Sequence, residues 1–426
     1  MSNHFDFESS DTSSTSDDSD ASLDESIFEL CLLSLNLASR EAKYHRLRIS
    51  WDNHATMLIH EKQFDSKYRM SYESFMRLVT LLEPNLRQDD RKSMNSCGQL
   101  AICPPHILGL TIRWLSGSSF HDIRDAGNFS RPSFFRLLRK GLRAILTCKE
   151  LQITLPNTQD ELDEVLEGFK SKSIEEVMSG CVGALDGLLL LIHTPTREEA
   201  PNVRIYHSGH YQRMGLNVQA MVDANLRFMY LAVLAGGRSS DVQAYRKSKL
   251  KNWIESLPPW YFVAGDNAYV CTEHLLTPFC GSSRSLPEYD AYNFFLSQMR
   301  IRVEMAFGML VTKWRILRAS LEVPLAQSSQ ILIACGILHN WCINERVRHE
   351  RMQHQEQDIQ IQPTYRNGNT VLGFIPSDVD AAPSNGSILR MKLVDKIASL
   401  SLSRPEYNLM RNCFEASRNA MYIELQ

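Results

Sequence analysis

Cys181-Val182-Gly183-Ala184-Leu185-Asp186 is a run of small and apolar residues closed by a carboxylate. Its composition predicts a buried strand, and a carboxylate carried on such a strand needs a hydrogen-bond partner, an opposite charge or a cation. The pattern recurs in Tyr261-Phe262-Val263-Ala264-Gly265-Asp266. Around these two runs the texture alternates. Further strands are predicted at 188–193, 215–222 and 228–234, with the second acidic run beginning a strand at 260–264. A helix is predicted at 241–254, opened by Ser239-Ser240, and long helices at about 292–314 and 328–349. Alternating strands and helices predict an α/β sheet, and the ends of its strands open into a crevice where ligands gather.

A third acid, Glu304, lies inside the long helix whose other side carries Phe295, Met299, Val303, Phe307 and Leu310. Two strand-end aspartates and a helical glutamate are suited to hold a hard divalent ion, because Mg²⁺ takes oxygen ligands and leaves positions for water and substrate phosphate. A pair of such ions stabilises both the attacking and the leaving oxygen of an in-line displacement at phosphorus. Arg300, Gly308 and Arg315 are predicted to share a stripe with Glu304, where arginines could meet phosphates. The competing reading of Arg300 and Glu304 is a surface ion pair at i,i+4 spacing. Asp241 reads more economically as a helix cap, and Asp223 as part of a hairpin turn. His207 and His210 have no third ligand at zinc spacing.

Upstream the periodicity is helical. From Phe28 to Leu86 apolar residues fall three and four apart, including Leu30, Leu33 and Leu37 and then Phe75, Leu78, Val79 and Leu82; a polar break follows at 88–96. Residues 104–146 predict three helices: one after Pro104-Pro105, a short one capped by Ser119, and one capped by Ser130 with Pro132 in its first turn. The last is amphipathic, with Phe134, Leu137, Leu138, Leu142 and Ile145 opposite Arg136, Arg139, Lys140 and Arg143. A basic helix after a tight turn is the arrangement of helix-turn-helix DNA readers, and equally a solvated face of an ordinary bundle.

Charge is unevenly spread. Residues 1–30 hold nine acids and no Lys or Arg, so the net charge of −3 for the chain leaves +6 on the remainder. Residues 1–27 are expected to form an acidic, disordered tail, residues 353–386 a Gln- and Asn-rich linker, and residues 387–426 a helical C-terminal segment. The ten cysteines include no C-x-x-C pair, which predicts reduced thiols rather than a zinc site or a disulfide framework. The sequence offers neither an apolar stretch of the roughly 18 residues a membrane span needs nor the basic-then-apolar start of a secretory leader, so a cytosolic or nuclear protein is expected.

The acids stand within a set of ordered motifs: Gly183-Ala-Leu-Asp-Gly187, Tyr206-His-Ser-Gly-His-Tyr211, Gly215-Leu-Asn-Val-Gln-Ala-Met-Val-Asp-Ala224, Gly265-Asp-Asn-Ala-Tyr269 and Asn293-Phe-Phe-Leu-Ser-Gln-Met-Arg-Ile-Arg-Val-Glu-Met-Ala-Phe-Gly308. In these the chain resembles the PIF/Harbinger transposases, enzymes of cut-and-paste DNA transposons with a DDE nuclease domain. The resemblance spans about residues 100–345, and the 37 residues between Asp266 and Glu304 are similar to the spacing in that family.

It implies a ribonuclease-H-like fold over residues 175–350, a mixed five-stranded sheet flanked by helices, preceded by an all-α, helix-turn-helix-like domain over residues 28–150. It places Asp186 on the first strand, Asp266 on the fourth and Glu304 on a later helix, as catalytic ligands of two Mg²⁺ or Mn²⁺ ions, with Asp241 in a supporting role. The implied activity is cleavage of double-stranded DNA at terminal inverted repeats followed by strand transfer. The alternative is a host-retained DNA-binding protein or nuclease that no longer moves DNA. A separate Myb-like DNA-binding partner, self-association and nuclear residence are also expected. One departure is local: the family often carries Thr-His or Trp after the first Asp-Gly, where this chain has Leu188-Leu-Leu-Leu191.

Overall fold

The computed structural model describes residues 48–97, 100–282, 286–356 and 388–405. The acidic tail, Leu30, Leu33 and Leu37, most of the Gln- and Asn-rich linker and residues 406–426 lie outside the described residues.

The chain enters through helices α1 (Trp51–His60), α2 (Phe64–Tyr68) and α3 (Tyr72–Leu86). They close on an aromatic cluster in which Trp51 stacks on Phe75, with ring centroids 5.1 Å apart. Trp51, Phe64, Tyr68 and Phe75 are all buried, and each such side chain contributes about 1.5–3 kcal/mol through burial alone. The predicted polar break at 88–96 is instead largely helical, forming α4 (Asp90–Cys97). The Asp89 carboxylate accepts the backbone N–H of Lys92 and caps that helix, which apolar periodicity does not reveal.

The helical trio follows as α5 (Pro104–Leu115), α6 (Phe120–Gly127) and α7 (Arg131–Thr147). Ser119 and Ser130 cap the second and third by accepting the N–H groups of His121 and Ser133. Asn128, in the left-handed conformation, ends α6 and permits the tight turn into α7. Gly141 lets α7 cross α5 closely, because a Cβ there would collide with Thr111. Helix α8 (Gln159–Lys170), with a capping box between Thr158 and Glu161, leads into the sheet.

The sheet is mixed. Strand β1 (Cys181–Leu191) pairs antiparallel with β3 (Arg213–Val222), which pairs antiparallel with β4 (Phe228–Gly236) and, at its start, with the short β2 (His207–Ser208). On its other side β1 pairs parallel with β5 (Phe262–Ala264), and β5 pairs parallel with β6 (Leu275–Leu276). The five main strands therefore run in the order β4-β3-β1-β5-β6. Where the sequence predicts separate strands at 181–186 and 188–193, β1 is continuous, because Leu188–Leu191 pair with residues 215–218 of β3. Asp186 is consequently in the middle of a strand. The turn from β3 to β4 is closed by Asp223, whose carboxylate accepts the N–H groups of Asn225 and Arg227.

The helix expected over 241–254 is two helices, α9 (Asp241–Arg246) and α10 (Lys249–Glu255). Lys247 ends the first, and Ser248 caps the second by accepting the Lys251 N–H. Two long helices then cover the sheet: α11 (Pro287–Lys313) against β1, β3 and β5, and α12 (Leu325–Glu356) against β4 and α7. Helix α12 also ties the two regions together through an ion pair between Arg77 and Glu345 and a 3.0 Å bond from Trp341 Nε1 to Ser74 Oγ. One apolar core runs through both.

The last described helix, α13 (Ile388–Ser399), lies on α11. Of the seven cysteines whose side chains are described, all free, Cys148, Cys181, Cys335 and Cys342 are buried and only Cys280 is exposed. Among the described residues no helix is long and apolar enough to cross a membrane.

Candidate active site

Register brings the first two acids together. Ala184 of β1 is paired with Ala264 of β5, and continuing two residues along each parallel strand sets Asp186 beside Asp266, with the same parity and so on the same face. Asp186 is buried at 7% exposure, and the Asp266 side chain is 14% exposed. Each carboxylate folds back onto the next residue's amide: Gly187 N–H donates to Asp186 at 2.8 Å, and Asn267 N–H donates to Asp266. Those bonds compensate only part of the charge. Burial, and next the neighbouring Asp266, push the Asp186 carboxyl up to about 7.

The third acid arrives on α11. Phe295, Met299, Val303, Phe307 and Leu310 are buried against the sheet, which sets the helix's rotation and turns Arg300 and Glu304 toward Asp266. One guanidinium nitrogen of Arg300 stands 3.5 Å from Asp266 Oδ1 and 3.7 Å from Glu304 Oε1. Arg300 is thus not a surface residue pairing only with its helical neighbour; its side chain is 15% exposed, whereas that of Glu304 is 42% exposed. Partial burial raises the Glu304 carboxyl, with Arg300 opposing and Asp266 adding to the rise.

Among the described residues no three His, Cys, Asp or Glu side chains converge as a closed ligand set. The donor chemistry nonetheless fits a hard divalent cation. Asp266 and Glu304 share one guanidinium, and beside them the Asp186 carboxyl is raised to about 7, first by burial and next by Asp266.

Asp241 is not the cap of its helix. Ser240 has that role, accepting the Gln243 N–H. The Asp241 carboxylate instead accepts from Asn217 Nδ2 at 2.9 Å and Gln219 Nε2 at 3.0 Å. Gln219 in turn accepts the Tyr269 hydroxyl at 2.6 Å and donates to Asn217 Oδ1 at 3.0 Å. Gln219 and Asn217 are paired across the ladder with Gly187 and Leu189, so alternation puts this polar set on the face of the sheet opposite Asp186. Asp241 reaches that face only because residue 187 is glycine, since a Cβ there would collide with its carboxylate.

The Asn217–Gln219–Tyr269 set escaped the sequence reading. Its signal was present as Asn217-x-Gln219, two amides at strand period inside an otherwise apolar run.

The other candidate residues lie apart from the acids. Helix α11 stops at Lys313, so Arg315 falls in a following 3-10 turn and leaves the predicted stripe; its Cβ packs against Gly117 of the helical region. The basic stripe of α7 is divided. Arg136 and Arg143 are exposed, Arg139 is half-buried, and Lys140 reaches back to donate to the Arg87 carbonyl at 2.8 Å.

Comparison with known proteins agrees in location. Residues 185–340 match the family model described as DDE superfamily endonuclease. The chain is 23% identical over 358 residues to "Protein ALP1-like" of Arabidopsis thaliana, an alignment covering 80% of this chain and 83% of that relative. It is 26% identical over 289 residues to "Putative nuclease HARBI1" of Rattus norvegicus and 25% identical to the Homo sapiens protein of the same name. Each of these alignments covers 64% of this chain and 77% of the relative. No solved structure matches the chain.

Proposed function

We propose that this chain, which carries a DDE superfamily endonuclease domain over residues 185–340, is a divalent-metal-dependent nuclease that cuts the phosphodiester backbone of double-stranded DNA and joins the cut end to a target, as a transposase does. The observation that supports it most is the register of β1 and β5, which sets Asp186 beside Asp266, together with α11, which brings Glu304 within reach of the same guanidinium. The strand order β4-β3-β1-β5-β6, three antiparallel strands extended by two parallel ones, supports reading the sheet as ribonuclease-H-like.

Asp186, Asp266 and Glu304 would hold Mg²⁺ or Mn²⁺, two ions in this reading. Bound there, the metal supplies Lewis-acid stabilisation of the charge that develops at phosphorus and on the departing 3′-oxygen. Asp186 and Asp266 fix the position of the reacting phosphate relative to a rigid sheet. Glu304, the most exposed of the three, faces the side from which a duplex and an attacking water or 3′-hydroxyl can enter. Asp241 and its amide clamp support β1 from behind rather than touch the substrate. Arg136 and Arg143 on α7, and Arg315, offer phosphate contacts that place the duplex. A Myb-like partner, self-association and a nuclear site of action belong to this reading.

The relatives named as nucleases favour a second version, in which the chain cuts DNA without joining it to a target. Two assays separate these readings. Mg²⁺-dependent cleavage of a DNA duplex carrying inverted terminal repeats is expected from the wild-type chain and not from Glu304→Gln. Equal cleavage by both would remove Glu304 from the mechanism. Covalent joining of a pre-cut 3′ end to a plasmid is expected of a transposase, and cleavage without joining leaves the nuclease alone.

A further inference from the structure

Arg300 is held in a manner unlike another arginine–carboxylate pair on the same helix. Arg404 grips Asp290, near the start of α11, through two nitrogens at 2.7 and 2.8 Å, the bidentate geometry that makes such pairs strong. Arg300 instead stands between two carboxylates with its nearest nitrogen at 3.5 and 3.7 Å, beyond the normal range for a directed N–H···O bond. Its contribution is charge at a shared point, not a fitted fork.

The point is also central. Arg300 favours the ionised form of Asp186 as well as of Glu304, so its charge bears on all three acids. A guanidinium has no lone pair and cannot ligate a metal, so while it stands between Asp266 and Glu304 it excludes a cation from that position.

We propose that Arg300 is a built-in counter-cation of the acid cluster, occupying the position between Asp266 and Glu304 until a divalent metal displaces it. The inference rests on reading the acids as a metal centre. Contact longer than a directed hydrogen bond makes the exchange feasible, and the long unbranched side chain lets the head move outward along α11 while the backbone stays in place. The outward path passes the half-exposed Glu304, at the rim where a phosphodiester would lie, so the released guanidinium becomes a phosphate ligand. The metal-free cluster is thereby kept from mutual repulsion, and the charge that stabilised it is redirected to substrate only after metal has entered.

Metal binding tests this without reference to cleavage. Mn²⁺ affinity of the full chain would be measured by the electron paramagnetic resonance of free Mn²⁺, for wild type, Arg300→Gln, Arg300→Lys and Asp266→Asn. Removing an opposing unit charge at this range should tighten Mn²⁺ binding by about tenfold or more, with Arg300→Lys close to wild type. In EDTA, Arg300→Gln should melt below wild type, and Mn²⁺ should close the gap. Unchanged or weaker Mn²⁺ binding by Arg300→Gln, with wild-type binding intact, overturns the counter-cation role.

If wild type binds no Mn²⁺ and Asp266→Asn behaves identically, it is the metal-centre reading itself that fails. Should Arg300→Gln not fold, the wild-type Arg300 side-chain Nε–H resonance, identified by its absence from Arg300→Lys, supplies the answer. It should shift and lose protection from solvent exchange as Mg²⁺ is added, and a resonance indifferent to saturating Mg²⁺ refutes displacement.

Discussion

The two faces of β1 treat carboxylates differently. Behind the strand, Asp241 accepts two amide hydrogen bonds from Asn217 and Gln219, and Gln219 is itself held by Tyr269. In front, Asp186 has one bond to the next amide, and Asp266 and Glu304 share one guanidinium at ion-pair distance. A buried hydrogen-bonded network rigidifies the structure around it, and the two amides offset part of the rise that burial and the nearby Asp266 impose on the Asp241 carboxyl. Carboxylates compensated only in part are poised for a ligand, and the native state carries their repulsion as a cost. The difference is one of hydrogen bonding, richer behind the strand than in front, while the charge of Asp241 still bears on Asp186 across it.

The strongest way to break that contrast is to remove one charge from the front face and one amide donor from the rear. Asp266→Asn should lower Mg²⁺-dependent cleavage at least about a hundredfold, more than the loss that follows from disturbing an outer support of a metal site, with the thermal melt little changed. Asn217→Leu, behind the strand, should cost less than Asp266→Asn in cleavage and more in stability. Comparable cleavage by the two variants would erase the distinction between the faces.

A second test uses pH. The Asp186 carboxyl is raised from 3.8 to about 7 in the folded chain, so between those values the native state holds a proton that the unfolded state has released. Stability contributed at this site is therefore fully present below about pH 4 and is lost as pH rises toward 7. In EDTA, Asp186→Asn should escape that decline and melt above wild type at pH 8; a variant that melts lower would mean that the front face is not repulsive.

Behind the strand, Gly187→Ala should destabilise the chain by about 1–3 kcal/mol, the usual cost of forcing a methyl group into occupied space, read as a lower urea midpoint. Smallest is Tyr269→Phe, which removes one hydroxyl from Gln219 and should cost about 1 kcal/mol. An unaffected midpoint in both would show the rear network to be slack.

Local signals were read to within a few residues. Ser119, Ser130 and Pro132 marked the starts of α6 and α7, because capping is decided by a side chain and amides two or three residues away. The acids themselves were legible, since a carboxylate after Val-Gly-Ala-Leu or Phe-Val-Ala-Gly is chemically out of place. What failed depended on distant partners. Lys140 looked like one of four equivalent bases until its bond to the Arg87 carbonyl withdrew it from the stripe. Arg315 left the stripe of Glu304 because α11 ends at Lys313. Asp241 read as a cap because the amides that hold it lie 22 and 24 residues earlier.

Residue types and their spacing alone determined that this chain builds an α/β sheet behind a helical region, and which acids stand out of keeping with their surroundings. Only the tertiary structure decided which acids meet. That depends on the parallel register of β1 on β5 and on the rotation that buried Phe295, Met299 and Val303 impose on α11, while the missing Cβ of Gly187 admits Asp241 behind the strand. Charges interact through space over a few ångströms, and it is packing between distant segments that sets those distances.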